Sequence, residues 1–399
     1  MSNSPIHNYP SEVPRSLEID PVMRKIAAEG GVARLQYPHG EPCWVVTGFD
    51  DVRSVYGSKS FSRIGMNTES APRLTEGILL QGAIGCMEER EHVKLRRAFL
   101  RELDAPRLSA LEERGEAIMS ELLDAMAANG GGDYVSQVAK PFALRMLSEL
   151  LGLSPATAEV MACWVQTLLT ASGQAADPAV ITEAYLGLGQ CVTELVQERR
   201  ATPANDFISA VANRRELKTR EIAILVISLL AGGFESTATM MSKSVLLLQT
   251  RSDLWKGLAA DSSLVPAAVE ELLRKISLAG GESLPWIVRE PVTLAGVDMQ
   301  VGDYVMPAAG MANLDPAVFE DPEDVRFDRN ATSHLSFGHG SHLCLGYQIA
   351  RIELCIGVRA LVERYPDARL GVAVDQVRWR EDSTIWQLED LPLTLGRDR

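Results

Sequence analysis

The stretch SFGHGSHLCLG, from Ser336 to Gly346, places one of the six cysteines of the chain among three glycines and two histidines. The segment that follows it, YQIARIELCIGVRALVERY, repeats its apolar residues with the period of a helix. Cys344 is therefore predicted to lie just before a helix N-terminus, where backbone N–H groups and the helix dipole favour the thiolate form. The glycines permit tight turns and let a bulky planar ligand approach the backbone.

Three interpretations of Cys344 follow from these residues. A thiolate supported by glycines fits the axial ligand of a haem iron, and the pattern favours this interpretation. A zinc site would use His339, His342 and Cys344, but it lacks a fourth ligand at any standard spacing. A buried, inert cysteine is the third interpretation, and the surrounding glycines argue against it.

The composition is that of a globular protein with a sizeable core. Of the 399 residues, 46% are hydrophobic and 23% are charged, and the formal net charge is −14. This charge argues against nucleic acid and against an anionic membrane as general partners. The cysteines form no CxxC pair and the polar N-terminus carries no secretory signal, so we predict a protein of the reducing cytoplasm. The longest strongly apolar run, Ile222 to Ala231, is too short to span a bilayer.

The N-terminal part of the chain predicts short elements around a small sheet. From Asp20 to Glu29 the pattern predicts a helix. The segments ARLQYP and PCWVVTG predict two strands, and FDDVRSVYG predicts a helix that ends at Gly57. Residues 62–87 carry glycine, proline and polar residues without a sustained period, which predicts a long functional loop.

Helical patterns then dominate residues 88–275. The clearest helix begins at Thr219, a predicted N-cap, and runs to about Thr250. Short strands return from Trp286 to Pro307 and in the last thirty residues or so. The sequence thus predicts a mainly α fold with small β-sheets, of the α+β class. No linker divides it, so residues 1–399 are predicted to form a single domain.

Two further motifs lie on predicted helices. AGGFEST, from Ala231 to Thr237, puts adjacent glycines inside the long helix, where each costs about 1 kcal/mol relative to alanine. It indicates a place where the helix opens or is approached closely, or else a tolerated helix–helix contact. AVEELLRK puts Glu271 and Arg274 three residues apart on one helix face, an arrangement that is common on solvated helices.

Together these motifs resemble the cytochrome P450 family. FGHGSHLCLG is similar to the haem-binding loop Phe-x-x-Gly-x-His-x-Cys-x-Gly, and AGGFEST is similar to the oxygen-activating helix. Glu271 and Arg274 match the family's Glu-x-x-Arg and, with Arg329, would form a buried structural network. EREHVKLRRAF resembles the helix that bears His-x-x-x-Arg, and the likeness runs from about residue 20 to residue 395. It implies the cytochrome P450 fold, a helical body around a buried haem, in the soluble bacterial branch.

The resemblance also implies a haem-binding set. Cys344 would be the axial thiolate and thus the metal ligand, and Phe337 would pack beside it. His92, Arg96 and His342 would neutralise the haem propionates. The complete set is His92, Arg96, Gly232, Phe337, Gly338, His342, Cys344, Gly346 and Ala350.

The catalytic residues implied by the resemblance are Glu235, Ser236 and Thr237. Glu235 and Ser236 would stand at the acid and alcohol positions that manage protons during oxygen activation. The alcohol is commonly threonine, and Ser236 keeps the hydroxyl with a less restrained rotamer because it lacks the β-methyl. A second departure is Trp286, which occupies the usual position of a propionate-binding arginine, while Arg289 lies three residues later.

The walls of a substrate pocket also follow from the resemblance. They are Leu80, Gln81, Trp164, Leu168, Phe234, Trp286, Ile385 and Trp386. About half of these are expected to touch a ligand, and the others to be ordinary core. A mostly apolar, aromatic-lined pocket suits a polycyclic or peptide-derived metabolite, such as an aromatic cyclodipeptide, better than a fatty acid.

The implied function is a haem-thiolate monooxygenase or oxidase that uses haem b, O2 and two electrons, for hydroxylation or for radical C–C or C–N coupling. The electrons would come from a ferredoxin or flavodoxin that docks near Lys94, Arg97 and Arg351, and the protein would act as a monomer. A haem sensor or electron carrier without oxidative turnover is the alternative, and the Glu235–Ser236 pair argues against it. A non-haem helical binding protein with a buried thiol is a third class.

Overall fold

The computed structural model describes residues 5–12, 16–74, 83–170, 178–278, 284–380 and 385–396. The α-helices in these ranges are α1 (Pro21–Ala28), α2 (Phe49–Gly57), α3 (Glu89–Leu100), α4 (Ala105–Ala127), α5 (Lys140–Leu151), α6 (Pro155–Thr170), α7 (Pro178–Ala201), α8 (Phe207–Ala212), α9 (Thr219–Thr250), α10 (Ser252–Ala260), α11 (Val265–Lys275), α12 (Ala309–Ala312) and α13 (Tyr347–Arg364). The strands are β1 (Ile6–Asn8), β2 (Val32–Gln36), β3 (Cys43–Val46), β4 (Phe61–Ser62), β5 (Gly131–Asp133), β6 (Trp286–Val288), β7 (Val292–Leu294), β8 (Val297–Met299), β9 (Tyr304–Pro307), β10 (Arg369–Leu370) and β11 (Pro392–Thr394). The predicted class, mainly helical with small sheets, is confirmed.

The first of two compact units comprises Met1–Glu88, Ala267–Cys344 and Glu381–Trp386. Its main sheet has six strands in the order β1-β2-β3-β9-β6-β4. Successive side chains of a strand point to opposite faces, so the two faces build separate apolar clusters. Trp44 belongs to one cluster and its neighbour Val45 to the other.

The second unit comprises Glu89–Pro266, Leu345–Arg380 and Gln387–Arg399. Its central element is α9, which packs against α5, α7 and α13. At about 1.5 Å per residue its 32 residues make a rod roughly 48 Å long. A three-stranded sheet, β10-β11-β5, completes this unit. The prediction of a single domain over residues 1–399 stays a prediction.

The predicted N-cap of the central helix is wrong by one residue. Lys218 occupies the cap position, with an extended backbone, and its N–H donates to the side chain of Glu221 at 2.7 Å. The hydroxyl of Thr219 instead accepts a hydrogen bond from Arg200 at 2.9 Å. A carboxylate three residues into the helix therefore satisfies the cap in place of the expected hydroxyl.

One described helix, α9, is long and apolar enough to cross a membrane by length and composition. The apolar run noted in the sequence is only its first part, because the helix continues through further apolar turns to Thr250. Of its most apolar window, 56% is buried inside the structure, and the core helix of a soluble protein passes the same test. This burial indicates that α9 is a core helix of the protein.

Candidate functional site

The loop that carries Cys344 is closed by its own backbone. The N–H of Cys344 donates to the carbonyl of Phe337 at 2.8 Å, around a short turn at Gly340–His342. Helix α13 begins at Tyr347, so the cysteine does lie just before a helix N-terminus. Cys344 is exposed, which does not fit a buried, inert cysteine.

Two glycines of this loop have the left-handed backbone that favours glycine, with φ of +73° at Gly338 and +69° at Gly340. A Cβ on Gly340 would come within 2.6 Å of the carbonyl oxygen of Tyr56, so the loop backbone lies directly on α2. A Cβ on Gly346 would meet no protein atom within 4 Å. Gly340 is thus required for packing inside the protein, and Gly346 leaves open space beside the cysteine.

The two histidines of the loop lie against different neighbours. The ring of His342 packs edge-on against Trp286, with centroids 5.4 Å apart. The ring of His339 lies beside Gly57, 3.5 Å from where a Cβ on that glycine would stand. Among the described residues no group of three His, Cys, Asp or Glu side chains is placed to hold a metal ion. Nothing in this part of the chain supports the zinc interpretation.

Glu271 and Arg274 are fully buried, which differs from the solvated pair that their spacing alone suggests. Arg274 donates to both carboxylate oxygens of Glu271 at 2.8 Å, and Arg329 adds a bond of 3.2 Å to the same carboxylate. Arg274 also donates to the carbonyls of Asn313 and Pro322 at 2.8 Å. These side chains therefore form one buried, charge-assisted network.

Sequence reasoning missed the link between this network and the cysteine loop. The Asn313 side chain donates to Ser336 Oγ at 2.8 Å and accepts from the N–H of Leu335 at 2.7 Å. Ser336 Oγ donates in turn to the carbonyl of Leu273 on α11 at 2.6 Å. The first residue of the loop is thereby bonded to the helix that carries Glu271. In the sequence, the signal for this link was the hydroxyl of Ser336, the first residue of SFGHGSHLCLG.

Helix α9 runs without interruption through the AGGFEST motif. Ser236 Oγ donates to the carbonyl of Gly232, one turn earlier, at 2.5 Å. A Cβ on Gly232 would meet nothing within 4 Å, and one on Gly233 would make only ordinary contact with Leu147, at 3.7 Å. Gly232 is exposed, so a helix–helix contact does not explain it, and the space beside its backbone is open.

Glu235 is a buried acid on this helix. It is 3% exposed, and neither of its carboxylate oxygens has a hydrogen-bond partner among the described residues. A buried carboxyl group without a partner is costly, so a further partner beyond the described residues is expected for Glu235.

Thr237 makes a different contact from the one its predicted catalytic role would need. It is buried, and its side chain hydrogen-bonds Glu353 of α13. Burial raises the pKa of Glu353 from its ordinary 4.5 to about 8. The folded protein therefore holds this carboxyl in its protonated form at neutral pH.

Glu353 should make stability fall as the pH rises. In the unfolded chain the group ionises above about pH 4.5, whereas in the folded protein it keeps its proton to about pH 8. Between these values the unfolded state binds fewer protons, so the free energy of unfolding drops by about 1.4 kcal/mol per pH unit. Glu353→Gln should flatten this dependence, as measured by urea unfolding at several pH values. Glu363→Gln, at an exposed position of the same helix, is the control, and equal slopes in all three proteins would contradict the assignment.

The other predicted haem-side residues lie on two helices of the second unit. His92 is buried on α3, where Arg96 is half-buried one turn later. Ala350 is half-buried near the start of α13. Each of these residues is thus placed on a regular helix.

The predicted pocket residues fall into different surroundings. Trp286 and Trp386 are members of the two apolar clusters of the first unit. Trp164 lines a hollow of ≈ 660 Å³ between α6 and α7, and its ring lies 2.6 Å from where a Cβ on Gly187 would stand. Phe234 is buried on α9. Leu168 and Ile385 are half-buried, whereas Leu80 and Gln81 lie outside the described residues.

The donor set fits a haem. Cys344 offers an exposed soft thiol on a loop fixed by glycine and backbone hydrogen bonds, which is the ligand chemistry of a haem-thiolate site. Gly232 leaves open space beside a helix backbone, and the buried carboxylate of Glu235 has no described partner. For the loop of Cys344, a planar, redox-active group is a better fit than a closed zinc site.

Comparisons with known proteins agree with this chemistry. The sequence model of the family described as Cytochrome P450 matches residues 183–366. Mycinamicin IV hydroxylase/epoxidase of Micromonospora griseorubida is 36% identical over 91% of this chain and 92% of that protein, and nocardicin C N-oxygenase of Nocardia uniformis subsp. tsuyamanensis is 34% identical over 99% and 100%. The crystal structure of cytochrome P450mel 107F1 with biaryl coupling reactivity superposes with a TM-score of 0.91, at 31% identity, over 98% of this chain and 100% of that chain. The chain belongs to the cytochrome P450 family, and it is an oxidoreductase of the monooxygenase type.

Proposed function

We propose that this enzyme is a haem-thiolate monooxygenase or oxidase that modifies a small organic secondary metabolite with O2 and two electrons. The observation that carries the proposal is the exposed Cys344 on its glycine-held loop before α13. The relatives that are named for a hydroxylase/epoxidase, an N-oxygenase and a biaryl coupling activity support oxidation of this broad kind. Hydroxylation and radical coupling are both within this chemistry.

The chain's own residues would hold haem b in defined ways. Cys344 Sγ would bind the haem iron, with Phe337 beside it, and His92, Arg96 and His342 would pair with the propionates. The group supplies dioxygen activation when bound, because electron donation from a thiolate favours O–O cleavage. The backbone bond from Cys344 to Phe337 fixes where the thiolate is presented.

Glu235 would exchange protons, and Ser236 would position the proton-carrying water by accepting a hydrogen bond from it. The hydrogen of Ser236 Oγ is engaged by the Gly232 carbonyl, which leaves the oxygen of this hydroxyl as an acceptor. The carboxylate of Glu235 has no described partner and is suited to exchange protons through water. Thr237 is engaged with Glu353, so we assign it to the scaffold behind this pair and not to the relay.

An aromatic cyclodipeptide is the narrower substrate that the predicted pocket suggests. Trp164 keeps an aromatic wall for such a pocket. Phe234 is buried, and Trp286 and Trp386 lie in apolar clusters, which removes three of the expected aromatic contacts. We therefore propose a polycyclic or peptide-derived metabolite as the class, with the cyclodipeptide as one candidate.

Electrons would come from a ferredoxin or flavodoxin in the cytoplasm, with the enzyme acting as a monomer. Of the three cations proposed for docking, Lys94 is held by both carboxylate oxygens of Glu221, at 2.6 and 2.7 Å. Arg351 stacks on the ring of Tyr347 at 5.4 Å, and Arg97 is exposed. Arg97 therefore offers the most available charge of the three to an acidic partner.

The second candidate function is a haem sensor or electron carrier. Such a protein has no need for a proton relay, so the buried Glu235, which has no hydrogen-bond partner in the described part of the chain, favours the oxidase. The ferrous–CO spectrum of the purified protein tests the proposal directly. A strongly red-shifted Soret band is expected, and a protein without a Soret band, or with an unshifted one, would overturn it.

Ser236→Ala and Glu235→Gln are expected to leave substrate binding nearly intact and to divert electrons to peroxide. General acid–base positioning is typically worth 10²–10⁴-fold, and we expect about 100-fold less product because water partly replaces a small hydroxyl. The measurement is product formed per electron consumed, with peroxide assayed in parallel. The substrate for this assay is identified beforehand by screening compounds, starting with mycinamicin IV and nocardicin C, for a shift of the haem spin state on binding.

Ser242→Ala is the matched control for this pair. Ser242 donates to the carbonyl of Ala238 at 2.8 Å, the same one-turn bond that Ser236 makes, but it is buried further along the helix. The product formed per electron consumed should equal the wild-type value in Ser242→Ala. Ser236→Thr, which keeps a hydroxyl at this position, should also retain the wild-type value. Unchanged coupling in both Ser236→Ala and Glu235→Gln would remove the relay assignment.

A further inference from the structure

Arg63 is a buried arginine that sequence reasoning missed. It follows β4 directly and is 8% exposed. In the pairing of β4 with β6, Phe61 lies opposite Val288 and Ser62 opposite Ile287, so Arg63 comes next to Trp286. The guanidinium carbon of Arg63 lies 4.7 Å from the centroid of the Trp286 ring.

No carboxylate of the described residues forms an ion pair with the Arg63 side chain, and its Nε is buried without a hydrogen-bond partner. Glu88 is the acid nearby, but its Oε1 accepts the backbone N–H of Arg63 at 2.6 Å and its Oε2 pairs with Arg289 at 3.5 Å. Burial lowers the pKa of Arg63, as expected for a cation without full compensation. A buried guanidinium in this state is stable only with an anion beside it.

Trp286 brings a second donor to the same place. Its Nε1 is buried and has no acceptor among the residues that the structure describes. One neighbour of its ring is Arg63, and another is His342, two residues before Cys344. Two buried, unsatisfied donors therefore lie side by side, next to the loop that presents the thiolate.

We propose that Arg63 and Trp286 form a carboxylate site that takes one haem propionate. Arg63 supplies from β4 the positive charge that is missing at position 286 of β6, and Trp286 adds an uncharged N–H donor. The inference rests on the proposed haem-thiolate function. Arg289, the other arginine of this region, is half exposed and paired with Glu88, so it does not supply this charge.

The test is the rate at which the holoenzyme loses haem to an excess of apomyoglobin, followed by absorbance. Arg63→Met keeps much of the apolar stem and removes the charge, and it should speed haem loss by about tenfold to a hundredfold. Trp286→Phe keeps an aromatic ring but removes the N–H donor together with the pyrrole part of the indole, and it should speed haem loss by about threefold to tenfold. Arg63→Lys should stay closer to the wild type, and Arg289→Gln, which also removes one cation, should match the wild type.

Three further measurements separate the possible outcomes. Reconstitution with haem dimethyl ester, which has no propionate charge, should make Arg63→Met and wild type lose the group at equal rates. The thermal midpoint of the Arg63→Met apoprotein should equal or exceed that of the wild type, because without haem the wild-type arginine is buried with no carboxylate beside it. The CO spectrum of the wild type tests the proposed function separately from the variants.

Equal haem loss in wild type and Arg63→Met would overturn the inference and would leave a substrate carboxylate as the occupant. A rate difference that persists with the ester, or a matching drop in apoprotein stability, would overturn it in favour of a scaffold role. A wild-type protein that binds no haem would instead remove the function on which the inference rests.

Discussion

Cys344→Ser is expected to abolish the strongly red-shifted ferrous–CO absorption and to leave a folded protein with little haem. A serine hydroxyl is a far poorer ligand for iron than a thiolate, because it is harder and is not ionised at neutral pH. The fold should persist, since the loop is held by the backbone bond to Phe337 and by Ser336 and Asn313. Absorbance with CO and circular dichroism measure the two effects.

Cys355→Ser is the control for this change. Cys355 lies on α13, about three helical turns beyond Cys344, and is half-buried. It should keep the thiolate spectrum. A Cys344→Ser protein that retained the red-shifted band would show that another cysteine holds the iron.

Glu271→Gln is expected to cause the largest loss of stability, about 3–5 kcal/mol. Removing one charge from a buried pair leaves the other uncompensated, and here Arg274 and Arg329 would both lose their carboxylate. The free energy of unfolding from urea titration of the haem-bound protein measures the loss. Haem retention should fall with it, because α11 is bonded to the cysteine loop through Ser336.

The matched control is Glu323→Gln on the surface of the same unit. Glu323 pairs with Lys275 at 2.6 Å and with Arg24, but it is half exposed. Exposed pairs of this kind contribute about 0–1 kcal/mol, so the control should lie close to the wild type. A similar loss in both variants would contradict the view that burial decides the effect.

The sequence predicted those elements of the fold whose pattern of apolar residues extends over many consecutive residues. The helical pattern that begins at Thr219 predicted the range of α9, to about Thr250. Its cap was not predicted, because the side chain of Glu221 competes with a hydroxyl for the same backbone N–H groups. Strand β1 was not predicted, because its three residues are too few to show an alternation of apolar and polar side chains. Its place in the sheet depends on its pairing with β2.

For the site, the sequence predicted which residues form the cysteine loop but not which distant side chains and carbonyls they contact. Glycine and cysteine spacing predicted the loop, but the burial of Arg274 depends on carbonyls 39 and 48 residues further along the chain. Trp286 was expected in a substrate pocket, yet strand register places it in an apolar cluster with Trp44 and Val305. Side-chain partners that are distant in sequence are set by tertiary packing, which local periodicity does not encode.

The bonds from α11 through Asn313 and Ser336 have a consequence for the order of assembly. They join protein groups only, so the ligand loop is preorganised by folding and its ordering entropy is lost before any cofactor arrives. Cofactor capture is therefore expected to order less of the chain at this loop than a coupled folding reaction would. An enzyme with such a loop is expected to return to the same ligand geometry each time its prosthetic group is exchanged.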